Sequence, residues 1–185
     1  MRLASALLSC FVPLAAAGCG ADDQPRDAGT QPDAAMEVGA ASLIHNALWE
    51  PVSEDNAGAS PSADCVALGF GDEELGGELA FAIRTDYCPA LTLEQPLRAQ
   101  LASGDTVTLR LYHFPLSAPE PAAATLWIRV GDEEVFRAEL SIPRDAALIE
   151  QSYTMLRGFA EGTPVQLHVD NHGQNEYALL ALERS

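Results

Sequence analysis

Two of the four histidines stand close together near the end of the chain, in the stretch PVQLHVDNHGQNEYALLALE. His168, Asp170 and His172 recur at i, i+2 and i+4, which on an ideal strand puts them on one face, about 6 to 7 Å apart at successive backbones. Imidazole and carboxylate at that spacing can converge on zinc or copper, above all with His113 approaching from a neighbouring strand. The competing reading places His172 in a turn, with Asp170 and Asn171 as turn formers.

A second set of side chains suits binding rather than metal chemistry. With Leu126, Ile128 and Val130 turned to a core, Trp127 and Arg129 share the opposite face of their strand. Tyr112 and Arg110 stand outward on another strand by the same alternation. Placed in one sheet, these four would form a flat aromatic and cationic patch on which a sugar stacks its C–H face while guanidinium groups donate to its hydroxyls. The alternative is a tryptophan covered by a loop or lying among arginine side chains. Acid-rich stretches such as Gly71 to Gly77, read as a turn, offer oxygen ligands to calcium but lack the spacing of an EF-hand loop.

Catalytic signatures are missing. The sequence has no GxSxG, no HExxH and no Cys/His pair left once a disulfide forms, and the paired acids Glu73-Glu74 and Glu133-Glu134 are read as turn residues. The expectation is a protein that is not an enzyme. All ten basic residues are arginine, so lysine chemistry is excluded, and a net charge of −17 with no basic patch argues against nucleic acid as a partner.

The elements that must position these residues follow an export address. Arg2, the apolar run Leu3 to Ala17 and the small residues before Cys19 read as a secretory signal over residues 1–18, too short and too interrupted by Pro13 to span a bilayer. Ala16-Ala17-Gly18-Cys19 resembles the bacterial lipoprotein signal, which implies lipid on Cys19 and membrane attachment; alanine stands at position 16 where that pattern prefers leucine. Residues 19–42 lack large apolar side chains and read as a disordered acidic tether. Cys65 and Cys88 then remain for one disulfide in an oxidising compartment. These features together place the protein outside the cytoplasm, in the periplasm or at the outer membrane.

Residues 43–185 alternate short apolar segments with turn chemistry and contain no sustained helical period. Strands are expected at 43–52, 65–70, 79–85, 91–95, 106–114, 125–130, 135–142 and 148–156, closed by a hairpin over 164–183. About nine such strands make an all-β fold, a two-sheet β-sandwich or jelly roll. In its strand rhythm, GDTVTLRLYHF, ATLWIRVGDEEVFRAELSIP and GTPVQLHVDNHGQNEYALLALE, the chain resembles the galactose-binding-like jelly roll of carbohydrate-binding modules, and also secreted lipoproteins of myxobacterial type. The first resemblance implies sugar binding through aromatic platforms and a structural calcium; beyond calcium or a transition metal at the histidines, no cofactor is expected. The leading expectation is therefore a non-catalytic envelope lipoprotein that recognises carbohydrate. A structural or protein-interaction lipoprotein and a metal-binding sandwich protein are the alternatives.

Overall fold

A computed structural model describes residues 40–52, 65, 67–171 and 173–185. The signal, Cys19, almost all of the tether and His172 lie outside the described residues. Eleven strands are present among those described: β1 (Ala41–Ser42), β2 (Glu50–Pro51), β3 (Phe70–Leu75), β4 (Glu78–Arg84), β5 (Ala90–Pro96), β6 (Thr106–His113), β7 (Ala122–Val130), β8 (Glu133–Ile142), β9 (Ala147–Thr154), β10 (Pro164–Asp170) and β11 (Glu176–Arg184). Nine of them, β3 to β11, are six residues or longer.

They form the expected two-sheet sandwich. One sheet runs β3-β4-β11-β6-β9, with β1 beside β11; the other runs β2-β5-β10-β7-β8. Every pairing is antiparallel. Alternation drives this arrangement. On β6, Val107, Leu109, Leu111 and His113 are buried while Thr106, Thr108, Arg110 and Tyr112 are not. Val165, Leu167 and Val169 of β10 meet the core from the other sheet, together with Leu126, Ile128, Val130 and Phe136. Fully burying one such side chain stabilises the fold by roughly 1.5 to 3 kcal/mol.

Five local expectations fail. The strand expected at 65–70 is absent: Ala67–Gly69 is a 3-10 turn and β3 begins only at Phe70. Glu133 and Glu134 open β8 rather than standing in a turn, because the turn before them needs only Gly131 and Asp132. Residues 43–52 are not one strand: a 3-10 turn at Asn46–Leu48 breaks them, capped by His45, whose Nδ1 accepts from the Ala47 N–H at 3.2 Å. Leu43, Ile44, Trp49 and Val52 are buried, a spacing no straight strand could satisfy on one face. The acidic stretch from Gly71 belongs to β3, and the turn is Gly76-Gly77 alone, both at positive φ (63° and 90°). As an edge strand, β3 can leave Asp72 and Glu74 in solvent.

The last concerns the end of the chain. β10 and β11 do not pair with each other; β10 lies between β5 and β7, and β11 lies between β4 and β6. The expected hairpin is thus a crossing from one sheet to the other, from Asp170 at the end of β10 to Glu176 at the start of β11. Both strands are interior, which explains why β11 is so continuously apolar. Cys65 and Cys88 form the expected disulfide, their Cα atoms 4.4 Å apart.

Candidate functional site

The four residues expected to form one sugar platform are split between the two outer surfaces. Tyr112 and Arg110 stand on β6, Trp127 and Arg129 on β7, in different sheets. Tyr112 meets Phe114 edge-on at 5.1 Å. Arg110 is held by Glu78 at 3.0 Å and lies 3.9 Å from Glu150. Sequence periodicity set each side chain outward correctly but could not say which sheet a strand joins.

Trp127 has its own company on the outer face of β5, β10, β7 and β8. Register places Thr92, His168, Trp127 and Arg137 in one row across the four strands. The His168 imidazole stacks on the indole at 4.8 Å and 12°, and the Arg129 guanidinium lies 4.4 Å from the ring centroid. Trp127 retains 8% exposure. With face contacts already made to an imidazole and a guanidinium, the indole is not an open sugar platform.

His113 and His168 do not converge either. His113 points into the core from β6, whereas His168 points outward from β10 in the other sheet. His113 is fully buried; its Nδ1 donates to the Phe114 carbonyl at 3.0 Å, and its Nε2 has no hydrogen-bond partner among the described residues. His168 Nδ1 pairs with Thr92 Oγ1 at 2.9 Å. Burial lowers the pKa of His168; Asp170 opposes this, and Arg137 and Arg129 reinforce it. Among the described residues no group of three or more His, Cys, Asp or Glu side chains could hold a metal ion.

One ladder row beyond Trp127, the outer face opens into a cleft of about 710 Å³. Thr125 of β7 and Asp170 of β10 are opposite each other at its floor. Ala118, Pro119, Glu120 and Pro121 form a wall, and Gly173 lines it from the β10–β11 crossing. The stretch expected to be a bare proline-rich crossing therefore lines a recess on this face. Proline fixes φ, so the wall is stiff without regular hydrogen bonding.

A buried polar clasp fixes that wall against the β10–β11 crossing. Asn171 Nδ2 donates to Thr85 Oγ1 at 2.8 Å and to the Gly173 carbonyl at 3.0 Å, while its Oδ1 accepts from Tyr177 at 2.7 Å and from Asn175 Nδ2 at 3.1 Å. Asn175 Oδ1 in turn accepts from the Ser117 N–H at 2.6 Å. A Cβ on Gly173 would strike the Ser117 carbonyl oxygen, so this close approach requires glycine. Sequence reasoning treated Asn171 as a turn former; the signal missed was two asparagines flanking a glycine where a simple turn needs fewer.

Across the other sheet lies a carboxyl pair also hidden from the sequence, because Glu73 was read as a turn residue. Arg84 binds Glu73 at 2.7 Å and lies 3.6 Å from Glu176. Burial first, then the adjoining Glu73 carboxyl, pushes Glu176 up to about 7, and its contact with Glu176 holds Glu73 below the ordinary range.

No protein-family description matches this chain, and no curated protein does. Solved structures with a similar sandwich include a non-crystalline cellulose specific carbohydrate-binding module, CBM28, at 11% identity over 78% of this chain and 92% of that one, TM-score 0.46. TmCBM61 in complex with β-1,4-galactotriose matches at 8% identity over 78% and 97%, TM-score 0.45. The K3 adhesin domain of Lys-gingipain from Porphyromonas gingivalis matches at 10% identity over 80% and 98%, TM-score 0.46. Similarity at this level carries no binding residue across to this chain.

Proposed function

We propose that this protein is a non-catalytic recognition protein that binds carbohydrate in the cleft bounded by residues 118–125, Asp170 and Gly173. The observation that carries the reading is the cleft itself: about 710 Å³, open, with stiff alanine and proline walls and a few convergent polar groups. Asp170 and Glu120 supply carboxylate acceptors for sugar hydroxyls, Thr125 supplies a hydroxyl, and Pro119, Pro121 and Ala123 offer apolar surface to C–H faces. The described lining contains no arginine, and the chain carries −17 overall, so neutral glycans are favoured over acidic ones. Export and lipid attachment through Cys19 would present the domain at the cell envelope.

Titration calorimetry of the full-length chain against neutral oligosaccharides is the test. Binding weakened tenfold or more by Asp170→Ala supports the cleft, since an exposed side chain is removed without disturbing the core. Undiminished binding in that variant moves the site elsewhere, and no binding of any neutral glycan removes the reading. Membrane partitioning of Cys19→Ala tests the anchor separately; unchanged partitioning excludes it.

A further inference from the structure

The described strands leave four long-side boundaries to the sandwich, β3 and β9 in one sheet and β2 and β8 in the other, and three of them are guarded against pairing. β2 is two residues long and contains Pro51. β3 carries Asp72, Glu73 and Glu74 in succession. β8 carries Glu133, Glu134, Arg137 and Glu139, and its pairing register shifts opposite Ile128 and Arg129. Such charges, prolines and irregularities are how edges avoid further pairing.

β9 has none of these devices. It reads ALIEQSYT, with one charge, Glu150, and it pairs with β6 without a register shift from Ala147 to Thr154. Its exposed side includes Leu148 at 49%, and Leu156, just beyond the strand, is the most exposed large hydrophobic among the described residues at 76%.

The backbone direction of this edge can be read from Met155. Its N–H donates to the Asp105 carbonyl and its own carbonyl accepts from Gly104, both at 2.9 Å, so residue 155 turns its polar groups toward β6. Antiparallel alternation then turns those of Leu148, Glu150, Ser152 and Thr154 outward, where no described strand meets them.

We propose that β9 pairs antiparallel with β9 of a second copy of this chain, about a two-fold axis at Gln151. In that register Glu150 lies opposite Ser152 of the second copy and Leu148 opposite its Thr154, so outward-pointing residues exchange backbone hydrogen bonds in both directions. Ile149 and Tyr153 face each other across the axis on the other side of the sheet. No like charges stand opposite one another. Centring the axis on Glu150 would oppose two carboxylates, and centring it on Ser152 would leave Leu148 without a strand residue to pair. The edge is therefore self-complementary in one register, as an isologous dimer requires. Pairing also brings Leu148 beside Leu156 of the second copy, covering both.

Sedimentation equilibrium of the full-length chain at moderate salt should give twice the monomer mass, and more dimer as salt screens the net charge. Ser152→Pro removes an outward N–H and no backbone bond to β6, losing there only the exposed hydroxyl contact with Thr108 Oγ1 at 3.0 Å; it should halve the mass while leaving the far-ultraviolet circular dichroism unchanged. Gln151→Cys should give a disulfide-linked dimer above the parent's background on non-reducing gels, and Thr154→Cys should not. A monomeric parent overturns the proposal. So does a dimer that Ser152→Pro leaves intact, or one in which both cysteine variants crosslink equally.

Discussion

The imidazole of His168 lies almost parallel to the indole of Trp127, 12° from it and 4.8 Å away, on the outer surface of the sheet. Both side chains are buried there by their neighbours rather than by the core: Thr92 on one flank, and Arg129 and Arg137 on the other. A neutral imidazole suits this setting, since protonation would put a cation next to two guanidinium groups with Asp170 as the opposing charge.

Stability should consequently fall in mild acid. His168 in the folded chain binds its proton less readily than the unfolded residue, whose pKa is about 6.5. The unfolded state therefore holds more protons just below that pH, and the stabilisation, complete above about 6.5, is lost as pH drops through the folded value. The slope from this one group is at most about 1.4 kcal/mol per pH unit. Urea unfolding from about pH 7.5 to about pH 5 should show a steeper loss for the parent than for His168→Gln; equal slopes would sink this assignment.

The carboxyl pair on the opposite sheet works in the other direction. Glu176 has a folded pKa raised to about 7 against an ordinary value of 4.5, so its contribution is complete below 4.5 and is lost as pH rises through 7. The two carboxyls titrate as a pair: below 7 they share a proton beside Arg84, and above it one guanidinium faces two charges. Glu176→Gln keeps a donor for the Glu73 carboxylate and removes the second charge. It should stabilise the protein by on the order of 1 kcal/mol at about pH 8 and by almost nothing at about pH 4, once solvent screening is allowed for. A stabilisation independent of pH would show that the pair does not share a proton.

Gly173 makes a prediction about the cleft. Its φ is +105°, and a Cβ there would meet the Ser117 carbonyl and approach Ala118 Cα to 3.2 Å. Backbone atoms cannot swing aside as a side chain would, so Gly173→Ala should cost about 2 to 4 kcal/mol and separate the crossing from the cleft wall. Thermal unfolding measures the first effect. Ligand titration measures the second, since Gly173 lines the cleft.

How much of this was written in the sequence depends on the range of the interaction. Alternation is local, and so Val107, Leu109 and Leu111, or Val165, Leu167 and Val169, announced their inward face directly. The turn at Gly131-Asp132 between β7 and β8 was equally plain. Sheet membership is not local. Nothing in residues 171–175 distinguishes a hairpin from a crossing, because either needs glycine and asparagine, and yet this choice decides whether Tyr112, Trp127, His113 and His168 can meet. Edge strands mislead for a related reason: β3 needs so few buried residues that its acids resemble a loop.

Asn171 is the residue whose loss should be felt most widely. Its side-chain amide is the hub of the clasp, donating to Thr85 and the Gly173 carbonyl and accepting from Tyr177 and Asn175. Tyr177 is buried, and burial pushes its hydroxyl's pKa far up, so the hydroxyl stays protonated and must donate. Replacing Asn171 by alanine removes the acceptor and leaves that donor in a site with 1% exposure, at a cost of about 1 to 3 kcal/mol for the unmet group alone. Replacement by aspartate keeps the acceptor but buries a charge with no cation near it in the clasp, which is worse at neutral pH and recovers in acid. The double variant Asn171→Ala with Tyr177→Phe separates these terms. Removing both polar partners should restore part of the stability lost in Asn171→Ala, because no buried hydroxyl is then unmet. Additive losses in that cycle would mean that the Asn171–Tyr177 hydrogen bond does not couple the crossing to β11.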